Sequence, residues 1–222
     1  MVSITTSSVT TQVTDAIRDA IIKGKYKPGE KLSEALLSEY YEVSRTPIRE
    51  AFKRLSIEGL VEVKPRVGTR VTKPTEKELT ELFAVKEVLE GLAAKLLAEK
   101  ENNTGIEQLE HSIKRMEDAL ESSDYNIFVE ANDNFHKFIR AESENSKLNF
   151  FLNSLLNQIS YNRYVHLSIE QPNRLEESIM EHKRVLAAIK SSNPAEAEKY
   201  MREHVKASGQ VLKKGVAKEL YE

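Results

Sequence analysis

From residue 75 onward the chain carries one unbroken habit: apolar residues return at i, i+3 and i+7, and nothing in it alternates as a strand would. Six such segments follow one another, over 75–100, 104–122, 124–142, 145–168, 173–191 and 194–218. The joints are short and polar: Asn102-Asn103, Ser122-Ser123, Glu144-Asn145, Gln171-Pro172 and Asn193-Pro194. Each helix has a single greasy stripe, so none is stable alone. Short joints return each helix against its neighbour, which predicts an antiparallel six-helix bundle over 75–222.

Residues 1–74 read differently. A helix is expected from Thr11 to Lys23, with Val13, Ile17, Ala20 and Ile21 on one face, ending at Gly24. Ser33 caps a second helix that carries Leu36, Leu37 and Tyr40. The third begins in Ser44-Arg45-Thr46-Pro47-Ile48-Arg49-Glu50-Ala51, with Thr46 suited to the cap and Pro47 to the first turn, and Gly59 closes it. Residues 60–63 and 69–72 are short β-like runs joined by Lys64-Pro65-Arg66-Val67-Gly68. Three helices and a two-stranded hairpin make a winged helix-turn-helix. The predicted fold class is therefore mainly α: an N-terminal winged helix-turn-helix followed by the bundle.

The third helix has a functional look. Ile48, Ala51 and Leu55 fall on one face, while Arg45, Arg49 and Lys53 step along the other. Cations at the N-terminal end of a one-sided helix suit the major groove of DNA, where an arginine fork matches guanine O6 and N7. Ser44 and Thr46 offer hydroxyls for phosphates or base edges. At the hairpin tip, Gly68 permits close approach of backbone to duplex and Arg66 can enter the minor groove, with Thr69 beside them. Charge agrees: residues 1–74 hold 13 Lys/Arg against 9 Asp/Glu, although the whole chain is at -2. The chain has no cysteine, and its Ser/Thr-rich start lacks the apolar core of a signal peptide, so a cytoplasmic protein is expected.

The bundle places three histidines where apolar side chains belong. His136 shares a face with Val129, Asn132 and Ile139. His182 lies among Leu175, Ile179, Leu186 and Ile189, and His204 among Ala197, Met201, Ser208 and Val211. Three buried imidazoles ask for a common partner, and a divalent metal, Zn or Ni foremost, is the economical one. Asn132 or Asp133 can add an oxygen. His111 and His166 read as surface or structural. Lys86 falls on the inward stripe of Leu79, Leu82, Leu89, Ala93 and Leu96, where a buried cation invites an anion such as a small carboxylate effector. It can equally pair with a glutamate of its own chain. Asn162 and Arg163 are further effector-binding candidates.

Leu32-Ser33-Glu34, Val43 to Ala51, Leu55, Glu58-Gly59-Leu60-Val61 and Gly68-Thr69 resemble the GntR family of bacterial transcription regulators. Glu81 to Lys86, Leu89 to Ala94, Asn134-Phe135-His136, Glu181-His182, Ala188-Ile189 and Arg202-Glu203-His204 resemble the FCD ligand-binding domain of its FadR branch, and six helices rather than seven resemble the VanR-like subgroup. The resemblance implies a repressor that binds a two-fold operator in double-stranded DNA as a homodimer. It implies DNA contacts at Ser44, Arg45, Thr46, Arg49, Arg66 and Gly68. It also implies metal ligands at Asn132, His136, His182 and His204, with Asn132 where metal-binding members carry aspartate. Glu34 stands where other members often carry arginine. The competing readings are a metal-dependent hydrolase using the three histidines, though no HExxH occurs, and a bundle that only dimerises.

Overall fold

The computed structural model describes residues 8–22, 24–73, 75–100, 105–157 and 173–221, with side chains described as far as 156 and from 173 to 213. The described residues form two compact units, the first built on the chain up to residue 73 and the second on residues 75–155 and 173–221.

The first unit contains α1 (Val9–Ile22), β1 (Lys31–Leu32), α2 (Glu34–Tyr40), α3 (Arg45–Ile57), β2 (Val61–Lys64) and β3 (Gly68–Val71). Val13, Ile17 and Ile21 of α1 meet Leu37 of α2 and Ile48, Ala51, Phe52 and Leu55 of α3 in one core, closed by Leu60, Val61 and Val71. Each fully buried aliphatic here contributes about 1.5–3 kcal/mol over an exposed one. Leu36 and Tyr40 are exposed, so only Leu37 anchors α2. Ser33 caps that helix, accepting from the Leu36 amide at 3.4 Å. The α2–α3 turn is pinned by the Val43 amide on the Ser38 carbonyl at 3.0 Å, and by the Ser38 hydroxyl on the Val43 carbonyl.

Two local expectations are corrected. The N-cap of α3 is Ser44, in extended backbone and without a side-chain cap bond, and Arg45 is already helical. Thr46 therefore lies inside the first turn. The sheet has three strands in the order β1-β3-β2, because Lys31 and Leu32 pair with Arg70 and Thr69. A two-residue strand is too short to show an alternation. The end of α3 is as expected: Gly59 adopts φ 78°, its amide bonds Ser56 O, and the Leu60 amide bonds Leu55 O.

The second unit contains α4 (Glu76–Ala98), α5 (Ile106–Glu121), α6 (Tyr125–Glu142), α7 (Ser146–Asn157), α8 (Arg174–Lys190) and α9 (Pro194–Tyr221). Thr75 and Glu78 form a reciprocal capping box that fixes the start of α4. Asp124 caps α6 by accepting from the Ile127 amide at 3.1 Å. Helix α4 packs along α9 and also meets α6 and α8, while α5 packs on α6 and α8, and α8 on α9. Three of these helices, α6, α8 and α9, surround one interior point. The expected helix over 145–168 is described as far as residue 157, and Asn162, Arg163 and His166 lie outside the described residues. No helix among the described residues is long and apolar enough to cross a membrane.

Candidate functional site

In the first unit, Ser44, Arg45, Thr46 and Arg49 are all exposed along the start of α3. Arg45 makes no hydrogen bond or ion pair to any described residue. Arg49 does: its Nε donates to Glu34 Oε2 at 2.7 Å, with side-chain exposures of 61% and 35%. Of the two arginines on this face, one has no acidic partner among the described residues and one is held by Glu34, and both are open to solvent. Lys53, next along the row, pairs with Glu50 at 2.7 Å.

The wing tip is a tight turn in which the Val67 amide bonds the Lys64 carbonyl at 3.1 Å. Pro65 takes its second position and Arg66 its third, with φ 63°, the arrangement of a type II turn. A left-handed arginine costs about 1–2 kcal/mol, and the turn holds it at the outermost point of the hairpin, exposed. Gly68 has φ 113°, a conformation that calls for glycine, and a Cβ there would lie 3.2 Å from the flexible Lys31 Cε, which can give way. Thr69 is buried and faces the core rather than the tip.

In the second unit, His136 of α6, His182 of α8 and His204 of α9 are buried together, each offering a ring nitrogen within 4.8 Å of the others. His136 Nε2 and His204 Nε2 are 3.1 Å apart. His182 Nε2 is buried and has no hydrogen-bond partner among the described residues. The opposite ring nitrogens are held from behind. His204 Nδ1 donates to Glu181 Oε2 at 2.7 Å, and His182 Nδ1 donates to the Ser178 carbonyl at 2.6 Å. These bonds select tautomers whose Nε2 lone pairs face inward. His136 Nδ1 lies 3.6 Å from Glu90 Oε2, too far for a hydrogen bond, and both atoms are buried without a hydrogen-bond partner among the described residues. Phe135 walls the cluster, its ring edge-on to His182 with centroids 4.6 Å apart.

Burial holds all three imidazoles neutral. It lowers the pKa of His136 against the pull of Glu90, and lowers that of His182 further, with His204 and His136 adding to the effect. His204 is pushed down to about 4 by burial, although Glu181 opposes this. Neutral imidazoles clustered in the interior are competent metal ligands.

Lys86 was expected on the inward face, and it is there, 3% exposed. It is not a free cation: its Nζ lies 3.2 Å from Glu90 Oε1, one helical turn on. Arg140 Nη1 donates to the same oxygen at 3.0 Å. Burial disfavours ionisation of Glu90, but Lys86, His136 and Arg140 together hold its carboxyl well below the usual carboxylate range. Two buried cations thus share one buried carboxylate. A second buried arginine, Arg174, is matched by a two-pronged bond to Glu181 at 3.0 and 2.8 Å.

Glu90, Arg140, Arg174 and Glu181 were not singled out from the sequence by their chemistry. The signal existed: Glu90 follows Lys86, and Arg140 follows His136, at i+4 on the same buried face. Asn132 is half-buried, one turn before His136, and bonds no described residue. The buried face of α6 runs through Phe128, Ala131, Phe135 and Ile139, so Val129 and Asn132 sit at its edge rather than its centre. Asp133 is turned to Lys137 at 2.7 Å and is not part of the converging set. His111 is exposed.

An exposed arginine-bearing helix with a wing, and a helical unit built round buried polar groups, define the class: a winged helix-turn-helix regulator with a separate all-helical domain. The gntR family of bacterial regulatory proteins matches residues 9–71, and the FCD domain matches residues 81–207. The chain belongs to the GntR family of bacterial transcription regulators, in the group that carries an FCD domain. It is 30% identical over 204 residues to a probable D-xylose utilization operon transcriptional repressor of Paenarthrobacter nicotinovorans, covering 92% of this chain and 88% of that protein. It is 25% identical to the transcriptional repressor RspR of Escherichia coli, covering 90% and 87%. The solved structure of E. coli McbR/YncC shares the fold, with a TM-score of 0.76 at 23% identity over 98% of this chain and 100% of that one. These relatives are regulators and not enzymes, so the hydrolase reading is set aside.

Proposed function

We propose that this regulator is a repressor whose operator affinity is set by a small carboxylate bound near a divalent metal in the helical domain. The domains are 1–74 for DNA and 75–222 for effector binding and dimerisation, and the protein acts as a cytoplasmic homodimer on a two-fold operator. Ser44, Arg45, Thr46 and Arg49 face the major groove, and Arg66 and Gly68 of the wing face the neighbouring backbone and minor groove.

The observation that carries the metal is the orphaned Nε2 of His182, buried and aimed at two further Nε2 atoms. Three inward lone pairs repel each other unless a cation or proton lies among them. His136, His182 and His204 are the ligands, with Asn132 supplying a neutral oxygen in place of a carboxylate. When bound, the ion supplies a positive charge on which an anionic effector can close. The residues around it answer in kind. When His136 gives up Nε2 to the ion, its proton belongs on Nδ1, on the side of the Glu90 carboxylate. Zn and Ni suit an imidazole set.

The buried cations Lys86 and Arg140, grouped at Glu90, are what supports an anionic effector in the same interior. Lys86 is then a shared cation rather than a dedicated clamp, and Asn162 and Arg163 complete the proposed effector contacts. An effector shifts operator affinity only by binding the DNA-competent and incompetent states unequally.

The test is thermal unfolding of chelator-treated protein with Zn or Ni, alone and with a panel of small carboxylates. Metal raises the melting temperature, and a true effector raises it further only when metal is present. A protein whose melting is indifferent to every ion, and which holds no ion after dialysis, contradicts the proposal and leaves the helical domain as a dimerisation module.

A further inference from the structure

The ion pair between α2 and α3 has a geometry that matters for DNA reading. Glu34 is the first residue of α2, directly after the Ser33 cap. Its backbone is fixed relative to α3 by Leu37 in the shared core and by the Ser38–Val43 hydrogen bonds across the turn. From that fixed point its carboxylate reaches the Nε of Arg49 at 2.7 Å, a charge-assisted bond. Glu34 takes only the inner nitrogen. The two terminal nitrogens of Arg49, with four N–H donors between them, bond no described residue and remain exposed.

We propose that Glu34 is a positioning and specificity-determining residue of the DNA interface, holding Arg49 by Nε so that the guanidinium meets a guanine edge end-on. This rests on the reading of Arg49 as a base contact. An unheld arginine on a helix surface samples many rotamers and takes phosphates as readily as bases. Tethering at Nε removes most of those rotamers before DNA arrives and leaves the fork that fits O6 and N7. The same carboxylate repels phosphates, so it lowers affinity for duplex in general while favouring the one geometry in which Arg49 reads a base. Arg45, one turn earlier and with no acidic partner among the described residues, has no such constraint and is the more tolerant of the two contacts.

The full-length protein is used to select duplexes from a random pool. The enriched duplex, its single base-pair substitutions and a scrambled duplex are then titrated with wild type, Glu34→Gln, Arg49→Ala and the double variant. Arg49 is exposed and Glu34 half-buried at the helix surface, and melting temperatures check that each variant is folded. Arg49→Ala should flatten the preference at one G·C pair by about 10- to 100-fold. Glu34→Gln should reduce the preference at that same pair by about three- to fivefold and tighten binding to the scrambled duplex. In the Arg49→Ala background, Glu34→Gln should change no base preference. Full preference retained in Glu34→Gln, or an equal change without Arg49, overturns the proposal. If Arg49→Ala leaves every base preference intact, the base-contact reading fails, and with it the role given to Glu34. No enrichment from the pool overturns DNA reading by this interface altogether.

Discussion

Replacing Glu90 by alanine removes a buried carboxylate that is bonded to both Lys86 and Arg140. Glu90 is fully buried, with Lys86 Nζ at 3.2 Å and Arg140 Nη1 at 3.0 Å. At an effective dielectric of about 20, each contact is worth about 5 kcal/mol of attraction, most of it offset by removing the charges from water. Deleting one member of such a group strands the others, and the measured cost is about 3–5 kcal/mol. For a domain of this size that is a fall in melting temperature of about 6–20 °C. Urea unfolding of the chelator-treated protein gives the free energy directly. The triple variant Lys86→Met, Glu90→Met and Arg140→Met should lose much less than Glu90→Ala, because the carboxylate and both cations bonded to it leave together. A Glu90→Ala protein within about 1 kcal/mol of wild type would refute this account of the interior, and would remove the argument for an anion there.

Two further outcomes follow from the histidine cluster. Glu181→Gln weakens the bond that orients His204, so metal affinity measured against a chelating dye should fall by about 10- to 100-fold, and an unchanged affinity contradicts the orienting role. The metal-free protein should also be acid-sensitive. All three histidines are depressed, chiefly by burial, so their contribution to stability is complete above about pH 6.5 and is lost as the pH falls and the unfolded chain takes up protons first. For His204, whose folded value is about 4, the loss between pH 7 and 5 is about 2 kcal/mol, and the other two act in the same direction. Denaturation free energies that stay level from pH 7 to 5 would contradict neutral burial of the cluster.

What the sequence discloses here follows a physical rule. Periodicity reports which face of a helix is buried, so His182 and His204 could be placed inward from their apolar neighbours, and both are. Turn chemistry is local, so Gly59 and Ser33 were legible. Pairing between elements is not local. The strand at Lys31–Leu32 exists only because Arg70 and Thr69 lie alongside, and the hold of Glu34 on Arg49 spans two helices. Charged residues on a buried face were the least legible. Hydrophobic patterning counts Glu90 and Arg140 as misfits, whereas in the folded chain they are buried because they satisfy each other. Asn132 shows the same limit: the stripe set it on one face with His136 and Ile139, whereas the buried face runs through Phe128, Ala131 and Phe135 and leaves it at the edge.

The claim on which the account most depends is that the exposed cations of α3 and the wing engage duplex DNA, and a salt titration tests it most directly. Affinity of the full-length protein for its selected duplex, plotted as log K against log salt, should fall with a slope steeper than about -4, and loss of a phosphate-binding cation should reduce that slope by about 1. A slope near zero would mean that no phosphates are neutralised on binding, and the assignment of Arg45, Arg49 and Arg66 to the DNA interface would be wrong.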